Sequence, residues 1–319
     1  MSRIRRIRRK KPRTGSVWKK LLLWGVLGLL VLAAAAVAGS YLYVRAYLKS
    51  DGFLAMLEQS AVDDMNVETA RIDPLDWDGS GIRCGGVVME GHEFLTSLQA
   101  RNIETEFSRW ELLKRAFVIT SVNIAELKLH LAPVSFRFRE KPEGPRSWAE
   151  ENILPDTFRL EKGSIDSLSV SYGEAGRLYV LDGARVESAY DAGSSQYRFD
   201  VRGGKLLLPF QGCPEFSLMS GTAQFNHSSR RVNIPSCRLT TDAGGYLDIK
   251  GDWDGSSSSW TANVVVNGVP VSSILEDHWR KHVHGSVSGG IDLRGGRDGV
   301  THVAGLARLQ GGMLTGLPV

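Results

Sequence analysis

Acidic residues are missing from the first twenty positions, charge of either sign is missing from the next twenty-four, and cysteine is scarce throughout. With only Cys84, Cys213 and Cys237, and no C-x-x-C pair, the chain has neither a zinc-ribbon nor a thioredoxin-like motif. Cys213 and Cys237 are the one pair placed to bridge in an oxidising compartment. Buried free thiols are the other reading, because spacing does not establish the close Cα approach that a disulfide needs. Catalytic signatures are missing too. There is no G-x-S-x-G elbow, and Gly203-Gly204-Lys205 lacks the spacing and the following Ser or Thr of a P-loop. His278 and His282 have zincin-like spacing, but Trp279 stands where the general-base Glu would be. Acid pairs such as Asp63-Asp64 and Glu150-Glu151 read as solvated loops. Nothing in this pattern predicts an enzyme, a cofactor or a metal.

The first twenty residues carry ten Lys or Arg and are followed by LLLWGVLGLLVLAAAAVAGSYLYV, residues 21–44. Twenty-four helical residues at about 1.5 Å each reach about 36 Å, enough for a hydrocarbon core of about 30 Å. The run predicts a membrane anchor from Leu21 through Leu30 to Val44, with Trp24 and Tyr41 at the two interfaces. Ala36-Val37-Ala38 offers a competing signal-peptide cleavage site, but the apolar run is longer than a usual h-region. On either reading the basic tail (1–20) stays cytoplasmic and the remainder is exported. Without the ten tail cations, the formal charge of +4 becomes 29 basic against 35 acidic residues, or −6. A nucleic-acid partner is therefore not expected, since the folded part has no basic excess.

Residues 45–61 have apolar positions near helical spacing and predict a juxtamembrane amphipathic helix. Two more short helices are expected, at Ser108–Arg115 and at Val271–His282, the second capped by Ser272 or Ser273. Everything else alternates with a period of two, as in Tyr197-Arg198-Phe199-Asp200-Val201-Arg202, or is rich in β-branched residues. Turn signals at Gly203-Gly204, Asp242-Ala243-Gly244-Gly245 and Gly295-Gly296 punctuate it. The expected fold is mainly β, a long antiparallel meander with few helices. A charged, Pro-bearing connector (140–155) separates a front β unit (62–139) from a longer back one (156–319).

The string DWDGS occurs twice, at Asp76–Ser80 and Asp252–Ser256. The first copy falls between candidate strands Met65–Leu75 and Gly81–Met89, the second between Tyr246–Gly251 and Trp260–Asn267. Unmatched flanks argue against an internal duplication, and too few oxygen ligands argue against a calcium loop. Both copies read as turns.

One apolar face per strand is the remaining feature with functional content. Its candidates are Leu168, Val170, Tyr172, Tyr197, Phe199, Val201, Leu247, Ile249, Val264, Val266, Ile291 and Leu293. Two architectures satisfy the pattern: a closed sandwich whose faces bury each other, and an open sheet whose face forms an apolar trough.

The order basic tail, anchor, short helix, then strand, W-x-L-L turn and strand over Ser97–Leu131, ending near Pro133, resembles AsmA-like envelope proteins. So does the later rhythm of Asn267-Gly268-Val269-Pro270-Val271, Gly285–Gly290 and Gly311–Pro318. The resemblance implies a bacterial inner-membrane protein with its bulk in the periplasm, and a taco-like β-groove that carries phospholipid acyl chains. It also implies a periplasmic or outer-membrane protein partner, and a glycine-rich rhythm that continues past Val319.

Overall fold

The computed structural model describes Ala46 and residues 50–77, 79–91, 94–108, 111, 116–133, 157–174, 176–209, 213–226, 228–273, 275, 281–296 and 299–314. The expected anchor with Leu21, Trp24, Leu30, Tyr41 and Val44, the connector 140–155 and His278 all lie outside these residues. Among the described residues, no helix is long and apolar enough to cross a membrane.

Helix α1 spans Asp51–Met65. Ser50 caps it by accepting the Phe53 N–H, Asp51 sits in the favourable first turn, and Asn66 ends it in the left-handed conformation at φ 52°. The helix thus begins later than the expected 45–61 and runs four residues further. That extension overturns the expected strand Met65–Leu75. Its place is taken by β1 (Thr69–Ile72) and β2 (Leu75–Trp77).

The other strands are β3 (Gly81–Glu90), β4 (Leu95–Phe107), β5 (Ala116–Leu131), β6 (Thr157–Leu160), β7 (Lys162–Glu174), β8 (Arg177–Asp191), β9 (Gln196–Arg202), β10 (Lys205–Leu207), β11 (Phe216–Asn226), β12 (Arg231–Thr241), β13 (Tyr246–Asp254), β14 (Ser259–Pro270), β15 (Val283–Gly296) and β16 (Gly299–Leu314). All sixteen belong to one sheet, antiparallel except where β5 pairs with β6 and β7. That parallel junction stitches the front strands to the back ones, across the connector.

Gly203-Gly204 was expected to turn the chain. Instead β9 and β10 both run antiparallel to β8, so together they form one interrupted strand. Both glycines have positive φ, 69° and 88°, and a Cβ on Gly204 would lie 2.8 Å from the Ala184 nitrogen and the Asp182 oxygen. Such a bulge needs glycine where a side chain cannot follow. Pro235 occupies a second irregularity, between the Ile234 and Cys237 pairings of β12, where no ladder N–H is required of it. Of the helix expected over Val271–His282, the described residues show a 3-10 turn at Val271–Ser273 and a Leu275 N–H donated to the Val271 carbonyl.

The two edges of the sheet are unlike. Edge strand β1 has four residues, packs beside α1, and its Ile72 N–H is taken by the Glu58 carboxylate at 2.9 Å. Edge strand β16 has sixteen residues, and its side chains from Gly299 to Met313 are all exposed.

Candidate functional site

The pairing registers place all twelve predicted lining residues on one face. Leu168 lies opposite Leu127 and Ala184, Val170 opposite Leu129 and Leu181, and Tyr172 opposite Leu131 and Tyr179. Phe199 lies opposite Ala223, Leu247 opposite Leu239 and Val266, and Leu293 opposite Ala262. One row crosses thirteen strands without a polar side chain: Leu75, Cys84, Ile103, Ile124, Ile165, Val186, Val201, Gly221, Cys237, Ile249, Val264, Ile291 and Gly305. At about 4.8 Å per strand, twelve steps extend roughly 58 Å.

The opposite face is laddered with charge. Arg238 donates twice to Asp248 at 2.7 and 2.8 Å, Arg198 pairs with Asp200, Arg185 with Asp166, and Arg101 with Glu126. The Arg238 guanidinium holds the Asp248 carboxyl below its usual range, and Arg198 does the same for Asp200. These pairs are exposed, so each contributes little stability. Their effect is to fix which face is wet.

In a closed sandwich, inward side chains of two sheets bury each other. Here Leu168, Val170, Tyr197, Phe199, Val201, Leu247, Ile249, Val264, Val266, Ile291 and Leu293 are only half-buried, and Tyr172 is 40 % exposed. On β11 and β12 burial is deepest at one end, where Phe216, Leu218 and Leu239 pack together under Leu208 and Cys213, and the central row is also buried at Leu75, Cys84 and Val186. From that end exposure rises along β12 and β13 to Val232 and to Trp253, which is 43 % exposed.

The open end is bordered by a row that the alternation pattern did not single out. Tyr190, Tyr197, Phe225, Val232, Trp253 and Trp260 lie opposite one another in sequence across β8, β9, β11, β12, β13 and β14. The Tyr190 and Tyr197 rings lie 5.0 Å apart. Each hairpin behind the row is built alike. Asp191, Asn226 or Asp254 accepts from the backbone two or three residues on, and Ser195, Arg230 or Ser258 closes the loop at φ 54°, 52° or 53°. The signal was present as YDAGSSQY, FNHSSRRV and WDGSSSSW, an Asx-turn between apolar residues, mostly aromatic. The second DWDGS copy is part of this series. The first instead ends β2, with Gly79 at φ 93° before β3.

Groups with reactive potential lie elsewhere or are muted. All three cysteines are free thiols, so Cys213 and Cys237 do not bridge, and burial pushes each thiol up from its ordinary value. His130 Nδ1 lies 2.5 Å from Ser171 Oγ, a cross-strand pair on the charged face. Among the described residues no carboxylate hydrogen-bonds that imidazole, so the orienting group of a triad is lacking. No group of three His, Cys, Asp or Glu among them could hold a metal. A cleft of about 560 Å³ on the charged face is lined by groups such as Arg231, Asp254, Asn233 and Asp252, which satisfy one another. Compared with known proteins, the chain matches no family model, no curated sequence and no solved structure.

Proposed function

We propose that this is a non-enzymatic β-groove protein whose apolar face holds phospholipid acyl chains. In this reading residues 21–44 anchor it in a bacterial inner membrane and the sheet lies in the periplasm, contributing to lipid homeostasis of the envelope. The unbroken row from Leu75 to Gly305 carries the proposal. An apolar surface about 58 Å long and left half-covered is costly in water, at roughly 25 cal/mol for each Å² exposed. A flexible hydrocarbon chain fits such a surface better than a rigid ligand with fixed polar contacts, because the row offers no polar side chain to orient one. The resemblance of the tail–anchor–helix–strand order to AsmA-like proteins points the same way. The test is mass spectrometry of lipid extracted from the full chain purified in mild detergent, beside a control membrane protein. Phospholipid near one or more molecules per chain supports the reading; a monodisperse chain with no more lipid than the control refutes it.

A second reading draws on β16. A scaffold that grips a protein partner by strand addition would use that long exposed edge. It expects a lipid-free chain, and a partner strand lost when Ala307, whose exposed residue lies within β16, is replaced by proline.

A further inference from the structure

The apolar face has direction. The gradient lies on β11 to β13: along β11, Phe216 and Leu218 are buried while Phe225 is half-buried, along β12, Leu239 is buried while Val232 is half-buried, and on β13 Trp253 is 43 % exposed. On these strands one side of the face is closed by the packed cluster of Phe216, Leu218 and Leu239, and the other opens at the aromatic row. Tyrosine and tryptophan favour places where one end of the side chain is apolar and the other wet. Immediately outside the row stand the hydroxyls of Ser194, Ser228 and Ser256, held by Asp191, Asn226 and Asp254.

Resting on the lipid-groove reading, we infer that the rim formed by Tyr190, Tyr197, Phe225, Trp253 and Trp260 takes the ester and headgroup level of a glycerophospholipid, whose acyl chains run along the strands toward Leu239 and Leu247. The depth fits. From Trp253 to Leu247 is six residues of extended strand, about 20 Å, against about 15 Å for the chains of one leaflet. The chemistry fits as well. Ester carbonyls need donors, which the indole N–H and phenol groups supply, and the serine tips present neutral polar groups to whatever lies beyond. Cations beside the rim are engaged by carboxylates: Arg231 by Asp254, Arg198 by Asp200, and Arg159, which lies 6.0 Å over the Tyr190 ring, by Glu161, each at 3.1 Å. Headgroup charge is therefore not selected, and zwitterionic and anionic phospholipids should occupy the site alike.

The experiment uses the full chain, loaded with phosphatidylcholine carrying a photoactivatable diazirine either in the headgroup or at the end of an acyl chain. Labelled peptides are mapped by mass spectrometry. The headgroup probe is expected on peptides containing Tyr197, Trp253 or Trp260, and the acyl-end probe on those containing Leu218, Leu239 or Leu247. Replacing Trp253 and Trp260 together by serine should cut headgroup labelling of the rim about tenfold and leave acyl-end labelling in place. Melting and circular dichroism of that variant separate a lost contact from a lost fold. The reverse pattern, with acyl ends at the rim and headgroups at the packed end, overturns the orientation and leaves the groove standing. Labelling no stronger than on a control membrane protein, or confined to the charged face, sinks both.

Discussion

Changing Val264 to lysine should empty the face of lipid, while the same change at Val265 should not. The two are neighbours on β14 and project to opposite sides. Val264 sits between Ile249 and Ile291 in the apolar row, whereas Val265 faces Asp248 and Gly290 on the charged side and is 41 % exposed. Full burial of a valine is worth about 1.5–3 kcal/mol, so covering its exposed half with hydrocarbon contributes roughly 1 kcal/mol. Lysine forfeits that contact and adds an ammonium. Taking the ion out of water costs several kcal/mol unless its stem carries it to the wet rim. The rim on β14 is Trp260, four residues away, or about 13 Å of strand, which is beyond the reach of the lysine stem.

A low total of about 3 kcal/mol corresponds to roughly a hundredfold loss of occupancy. At Val265 the ammonium faces the Asp248 carboxylate and water, and occupancy should stay within about twofold of the parent, since surface changes are usually worth under about 0.5 kcal/mol. Both variants and the parent would be purified side by side, with phosphorus or mass-spectrometric counting of lipid per chain and melting curves on each. Equal lipid in a folded V264K and V265K would refute the assignment of faces to function.

Three further outcomes follow from particular residues. Asp254 is held at about 2, below the usual 3.8, chiefly by the Ser256 hydroxyl and then by the Ser256 N–H. A depressed carboxyl stabilises the fold fully above its unfolded value and loses that effect as pH falls through the folded one. The melting deficit of Asp254→Ala at neutral pH should therefore shrink below about pH 4 and vanish near pH 2; a deficit that does not change with pH would show that the carboxylate is not its source. Gly221 has room for a Cβ, with its nearest neighbours at 3.9 Å, whereas Gly204 does not. Gly221→Ala should raise the melting temperature by about 1–4 °C and Gly204→Ala should lower it; a gain at both positions would contradict the bulge geometry. Leu306 is 85 % exposed on the open edge, so Leu306→Lys should reduce concentration-dependent association seen by light scattering, an effect that fails to appear if the edge is already covered.

The class of the fold and its wet and dry faces were legible in the residues because a strand's period of two is local information. Tyr197–Arg202 alternates in the sequence and does so in β9. Elements decided by distant partners were not legible. The pair Gly203-Gly204 reads as a turn until β8 and β11 are known to hold both sides of the strand. The parallel pairing of β5 with β7 could not be seen either, because the chain between them has no periodicity that fixes its path. The boundary of α1 was missed for another reason: its stop signal, Asn66, is a weak one, and the acid pair Asp63-Asp64 before it reads as a solvated loop although it lies in the last turn of the helix. Repetition misled in its own way. Identical letters at DWDGS drew attention to two unrelated reversals, while the three hairpins that are alike share a pattern of residue classes and few identities.

Whether the face is a trough or half of a sandwich was beyond periodicity, since both architectures give the same alternation. The burial pattern is what the proposed groove reading draws on. A sandwich would drive the whole row to near-zero exposure, and a solvated sheet would leave no packed cluster. The observed gradient, tight at Leu239 and loose at Val232, belongs to neither. On β11 to β13 the face is packed at the Phe216–Leu218–Leu239 cluster and half-covered towards the aromatic row, and in the proposed reading an amphipathic guest buries the uncovered part. The two edges extend the same logic. The edge at β1 ends the sheet beside α1, and the edge strand β16 is exposed from Gly299 to Met313. Any strand added there that kept the alternation would lengthen the apolar path by about 4.8 Å without changing its cross-section.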